Sequence, residues 1–150
     1  MTARMSLLVP TDFSAPAEHA LAYAVLLADR LDARIHVIHA IPIPELGVPE
    51  LGVAVASTMM DALVRRGQAS LDELHGRWRD KATFGELVLR TGDIRAMILE
   101  VARELAVDLI VIGSHGRHGI SRVVLGSIAE AVVRAAPCPV VTVGQSVVLR

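Results

Sequence analysis

Cysteine is nearly missing: Cys138 is the only one in 150 residues. An intrachain disulfide is therefore impossible, and a thiolate zinc site has no ligands to draw on. A reducing compartment suits such a chain. Aromatic residues make up only 3% of a sequence that is 53% apolar, so Ala, Val, Leu and Ile must fill the core. Lysine is also scarce, with Lys81 standing against fourteen arginines. Neither sign of charge dominates, since fifteen basic and sixteen acidic side chains leave a formal net charge of −1. A nucleic-acid binder would show a basic excess or stripe, and none is present. No uninterrupted run of about 18 apolar residues exists, which argues against a membrane span. The apolar run in "MTARMSLLVPTDFS" is too short for a signal peptide. The expectation is one cytoplasmic domain over residues 1–150, with no nucleic-acid or membrane partner.

What is present alternates between two periodicities. "MSLLVPT" (5–11) reads as a buried strand closed by Pro10 and Asp12. A helix follows over 14–31, with Ser14 as its cap, Pro16 in the first turn and Glu18 against the helix dipole. "ARIHVIHAI" (33–41) is β-branched and apolar enough for a central strand. Residues 42–57 carry three prolines and two glycines and predict a long, mobile loop. From Thr58 to Asp80, apolar residues return every three or four positions, which predicts a helix. "GELVLRT" (85–91) is strand-like, and Asp93 opens a helix bearing Ile94, Met97, Ile98, Val101 and Leu105 on one face. "DLIVIG" (108–113) is a continuous apolar strand, as expected where both sheet faces are covered. A helix at 127–136 and a strand at 139–143 complete a β-α-β-α-β-α-β-α-β order. That alternation predicts a doubly wound parallel sheet with helices on both faces.

Ligands of such sheets sit beyond the carboxyl ends of the strands, where the winding direction reverses. Two strand ends here carry polar chemistry. Pro10, Thr11 and Asp12 follow the first strand; Gly113, Ser114, His115, Gly116 and Arg117 follow the fourth. If those strands are neighbours, both loops line one crevice. Glycines let the backbone approach a ligand closely, and the helix starting near Ser127 offers free N–H groups and a positive dipole end. Gly116, Gly126, Ser127 and the Ile128 N–H are expected to hold phosphate oxygens, with Arg117 and Arg122 adding charge. A structural alternative stands beside this one. Ser127-Ile128-Ala129-Glu130 also fits a capping box, with Ser127 as N-cap and Glu130 reaching back. Asp12, likewise, suits ribose hydroxyls, a metal riding on phosphates, or a local Asx turn.

Common phosphate-binding motifs do not fit. A P-loop needs a lysine after its glycines, and Lys81 lies elsewhere. The G-x-G-x-x-G dinucleotide fingerprint is absent, because 113–119 reads G-x-x-G-x-x-G. Instead, Gly113-x2-Gly116-x9-Gly126-Ser127 resembles the G-x2-G-x9-G-[ST] motif of the universal stress protein family. "VPTDFS" (9–14) and "PCPVVTV" (137–143) resemble that family's two ends, so the likeness spans nearly the whole chain. The resemblance implies a five-stranded sheet of order 3-2-1-4-5, ATP binding in one branch of the family, and homodimers. It also implies that Asp12 sits near ribose and adenine, that the Ala40 backbone lines the adenine pocket, and that Gly92 borders the ribose. Gly113, Gly116, Gly126, Ser127 and Ile128 would hold ribose and phosphates. Ala40 stands where relatives often carry a larger aliphatic residue, which implies a looser pocket.

Other residues point less sharply. His115 and His118 have no further ligands nearby for a metal, so His115 is expected over the nucleotide. His36 and His39 fall on opposite faces of one strand; both read as structural, with His39 near enough to touch a nucleotide. No catalytic base or nucleophile elbow emerges, and Cys138 reads as structural. The last strand would be an apolar edge, inviting a second copy to pair through 139–143, and "SVVLR" at 146–150 offers a further strand. The function expected is ATP binding, with Mg²⁺ if it accompanies the phosphates, in a dimeric stress protein. A nucleotide-free interaction module, a weak ATPase and a cyclic-nucleotide binder are the alternatives.

Overall fold

The computed structural model describes residues 3–44, 49–115 and 125–150. Five parallel strands form one sheet: β1 (Ser6–Pro10), β2 (Arg34–Ile41), β3 (Thr83–Thr91), β4 (Leu109–Gly113) and β5 (Val140–Val143). Their spatial order is β3-β2-β1-β4-β5, as expected from the sequence. The connecting helices are α1 (Ala15–Leu31), α2 (Pro49–Trp78), α3 (Ile94–Glu104) and α4 (Ser127–Ala135).

Strand alternation sorts the core into two layers. Leu7, Val9, Ile35, Val37 and Val111 pack with α1 and with Leu71 and Leu74 of α2. Leu8, Ile38, Ile110 and Ile112 face the other way, against Ile98 and Val101 of α3 and Val132 of α4. Every residue of β1 is buried, which is why the central strands read as unbroken apolar runs. Small side chains let α1 lie close on the sheet: Ala20, Ala24 and Ala28 are all buried.

Local signals set most boundaries. Ser14 caps α1, and Asp93 caps α3 by accepting from the Ala96 N–H at 3.0 Å. Three expectations need correction. First, α2 begins at Pro49, so residues 49–57 are helix and not loop. Proline at the first helical position forfeits no hydrogen bond. A lone interior glycine, Gly52, costs only about 1 kcal/mol, and residues 53–66 hold no further breaker. Thr58, expected to start the helix, instead turns its hydroxyl back to the Ala54 carbonyl at 3.0 Å. Second, the N-cap of α4 is Gly126 and not Ser127, and no side chain among the described residues caps that helix. Third, residues 146–150 add no strand; the Val147 carbonyl meets His19 Nε2 at 2.8 Å, which ties the tail to α1. β5 is left as an edge.

Adjacency of β1 and β4 matters most for the site. The chain winds outward from β1 through β2 to β3, then crosses to β4 and β5. The winding therefore reverses between β1 and β4, and their carboxyl ends border a crevice.

Candidate functional site

A cavity of about 1060 Å³ opens at that reversal. Its walls include Pro10, Thr11, Asp12, Ala40, Gly113, Ser114, His115, Gly126, Ser127 and Ile128. The two polar strand ends picked out in the sequence thus meet in one place. Gly92 is not on the wall; its N–H donates to the Ile41 carbonyl at 2.9 Å and ties the ends of β2 and β3 together. Gly116, Arg117, His118 and Arg122 lie outside the described residues.

The β1 loop is tightly folded. The Thr11 N–H donates to the Ile38 carbonyl at 2.8 Å. The Thr11 hydroxyl accepts from the Phe13 N–H at 3.0 Å, and Asp12 Oδ1 accepts from the Ser14 N–H at 3.0 Å and from the Ser14 hydroxyl. The Asx turn foreseen for Asp12 therefore forms, while the residue also lines the cavity. Phe13 sits at φ 61°, a left-handed conformation that bulky residues rarely adopt. It sets the Phe13 ring 4.5 Å from the His39 ring.

At the β4 end, glycines permit close approach. A Cβ on Gly113 would stand 3.1 Å from the Pro16 carbonyl oxygen, and one on Gly126 would stand 3.0 Å from that of Ser114. The Gly126 N–H is already committed to the Ser114 carbonyl at 2.7 Å. It is therefore not a free donor, contrary to a phosphate role through its own amide. The following amides differ. Those of Ser127, Ile128 and Ala129 begin the helix, have no intrahelical acceptor, and meet no side-chain cap among the described residues. The Ser127 hydroxyl makes no hydrogen bond among the described residues. Glu130 does not reach back toward it, because its carboxylate pairs with Arg134 one turn on, at 2.9 Å. An anion at the helix start is thus not opposed by a nearby free carboxylate. His115 adds a second unsatisfied group: its Nδ1 meets Ser114 Oγ at 3.1 Å, while its buried Nε2 has no partner among the described residues.

The sequence missed one wall altogether. Leu63, Arg66, Gly67 and Ser70 of α2 line the cavity opposite α3 and α4. Their three- and four-residue spacing placed them on one helix face, yet nothing in that spacing says the face overhangs a crevice. Phe13 was also missed, since its role rests on an unusual φ. Among the described residues, no three metal-ligating side chains cluster, and no helix is long and apolar enough to cross a membrane. Cys138 lies away from the cavity; burial, then Asp108, pushes its thiol pKa up, so the reactive thiolate is disfavoured.

Fold and site together define a doubly wound α/β protein with a crevice at its switch point. A model of the universal stress protein family matches residues 4–144, and the chain belongs to that family. It is 32% identical over 117 residues to universal stress protein A homolog 2 of Coxiella burnetii, a match covering 78% of each chain. Its fold superposes on the universal stress protein UspA of Lactobacillus plantarum with a TM-score of 0.82 at 26% identity, covering 95% of this chain and 99% of that one. Two more distant structures share the fold. One is a universal stress protein in complex with cAMP (TM-score 0.71, 23% identity, 97% of this chain and all of that one). The other is an Arabidopsis thaliana family member with AMP bound (TM-score 0.65, 19% identity, 95% and 92%).

Proposed function

We propose that the cavity binds an adenine nucleotide, ATP in particular, with its phosphates at the start of α4. The observation that carries this reading is the row of uncapped amides at Ser127, Ile128 and Ala129 on the cavity wall. Main-chain donors without acceptors are costly where water is excluded, as at buried Ala129, and phosphate oxygens satisfy them while meeting the positive end of the helix dipole. The Ser127 hydroxyl and His115 Nε2 are further donors for the same oxygens. The close-packed Gly113 and Gly126 keep side chains out of the phosphate path. Ribose then falls beside Asp12, and the base reaches the end of β2 at Ala40. Gly116 and Arg117, outside the described residues, belong to the same proposal as phosphate contacts, and Gly92 holds the ends of β2 and β3 beside the base. Relatives solved with cAMP and AMP support an adenine ligand.

Mg²⁺ enters with the phosphates, whose oxygens are hard ligands suited to it. In this reading the nucleotide acts as a signal, in a cytoplasmic homodimer paired through β5. Calorimetric titration with ATP, ADP, AMP and cAMP tests the reading. ATP should bind most tightly, and Gly126→Val should weaken it by about tenfold or more, from displaced amides and a narrowed path. Equal affinity in a variant that melts like the wild type would remove the phosphate assignment.

A further inference from the structure

We propose that the cavity holds a second ligand subsite, on the α1/α2 face of the sheet, which takes a small carboxylate with an apolar body; it does not depend on nucleotide binding. The cavity straddles the carboxyl edge of the sheet. Ala40 follows Ile38 onto the face that α3 and α4 cover. His39 follows Ile35 and Val37 onto the opposite face, where Phe13, α1 and α2 pack. On that face the wall is made by Phe13, by Ala17 of α1, and by Leu63, Arg66, Gly67 and Ser70 of α2. None of these belongs to the phosphate, ribose or base contacts proposed above.

Leu63, Arg66, Gly67 and Ser70 recur at three- and four-residue steps, so they stack on one side of the helix. Gly67 fixes how near that side comes to the sheet. A Cβ there would stand 2.9 Å from Leu89 Cδ1 and 3.1 Å from His39 Cδ2, so α2 lies hard against the ends of β2 and β3. Arg66, which is exposed, and Ser70, which is half-buried, are thereby held one turn apart at the cavity rim. Their polar groups are uncommitted. Arg4, Arg77, Arg90 and Arg134 pair with carboxylates. Arg66 joins no ion pair among the described residues, and the Ser70 hydroxyl makes no hydrogen bond among them. Arg66 is also the one permanent cation of the described wall. The single carboxylate of that wall, Asp12, is engaged by the Ser14 N–H at 3.0 Å and by the Ser14 hydroxyl.

This pattern selects a ligand. Phe13, Ala17, Leu63 and the Gly67 backbone offer apolar surface for a ring or a short aliphatic chain. One guanidinium beside one hydroxyl balances a single negative charge, and its planar fork matches a carboxylate through two parallel N–H bonds. A phosphate dianion would leave a charge uncompensated there. With Arg66 at the rim, the carboxylate keeps part of its hydration while the apolar body is buried.

The probe is 3-phenylpropionate, and its uncharged counterpart of like shape is 3-phenylpropanamide. In amide NMR titrations of the full chain, saturable shifts should centre on Gly67 and Ser70, with or without saturating ATP. The acid should bind at least about tenfold more tightly than the amide. Arg66→Gln should weaken the acid about tenfold and leave the amide within about twofold; Ser70→Ala should weaken the acid about threefold. Gln and Ala are good helix formers, so both variants keep α2. An amide bound as tightly as the acid, an affinity for the acid unchanged in either variant, shifts centred on the start of α4, displacement by ATP, or no saturable binding of the acid would each overturn the inference. None of these outcomes decides whether ATP itself binds, which its own titration tests.

Discussion

At the scale of single residues, the chain answers two kinds of question differently. Positions where backbone must pass close to backbone were legible as glycines: Gly113 and Gly126 each leave no room for a side chain against a carbonyl. Histidines were harder, because their roles depend on partners distant in sequence. His36 illustrates this. It is buried, and its Nδ1 accepts from the Glu86 N–H at 2.8 Å, so the ring must be neutral at that atom. Burial foremost, then Arg34, lowers its pKa below the usual 6.5, with Glu86 opposing. A His whose folded pKa is depressed adds stability above its unfolded pKa and loses it as pH falls through the folded value. The melting temperature should therefore drop as pH is lowered from about 6.5. His36→Asn, which retains an acceptor for Glu86 but cannot titrate, should show a shallower drop when melts are followed by circular dichroism. A parallel decline in both proteins would discount His36 as the source.

Elements were legible where burial fixes periodicity and less so where it does not. β1 and β4 are enclosed by helices on both sides, so continuous apolar runs announced them. The first half of α2 is different: Val53, Val55, Met59 and Leu63 are exposed, so no clean apolar face marks it as helix. Its prolines and glycines dominated the reading, although Pro49 sits where helices accept proline. The second half of α2 is anchored through Gly67, whose Cβ position lies 2.9 Å from Leu89 Cδ1 and 3.2 Å from Ile41 Cδ1. Gly67→Val should lift the helix from the sheet and cost about 1–3 kcal/mol in chemical denaturation. Stability equal to wild type would show that the contact is looser than described. For α3, Asp93→Ala removes the side-chain cap and should cost about 1 kcal/mol, measured the same way. α4 starts at Ser127 as read, but the capping-box alternative for Ser127 does not form. With Gly126 as N-cap, Ser127 is released from capping and stands on the cavity wall.

For the whole molecule, alternation and right-handed crossovers left few topologies, and the family resemblance anchored in spaced glycines implied the strand order among them. The crevice between β1 and β4 follows from that order, because only there does the winding reverse. What stayed out of reach was the far wall of the cavity, which depends on how α2 overhangs the sheet. β5 ends the sheet as an open edge, and we expect two copies to pair along it. Light scattering should then report twice the 16.0 kDa chain mass. Thr142→Glu would set like charges close together across a two-fold edge and should shift the population toward monomer. A wild-type protein that stays at the chain mass at high concentration would refute the pairing.

The central claim is that free main-chain amides at the start of α4 receive the phosphates of an adenine nucleotide. Amide NMR spectra recorded during an ATP titration address it atom by atom. We predict saturable shifts centred on Ser127, Ile128 and Ala129, with smaller ones at Thr11 and Ala40. Unmoved amides at the start of α4 under saturating ATP, or shifts confined to another surface, would contradict it.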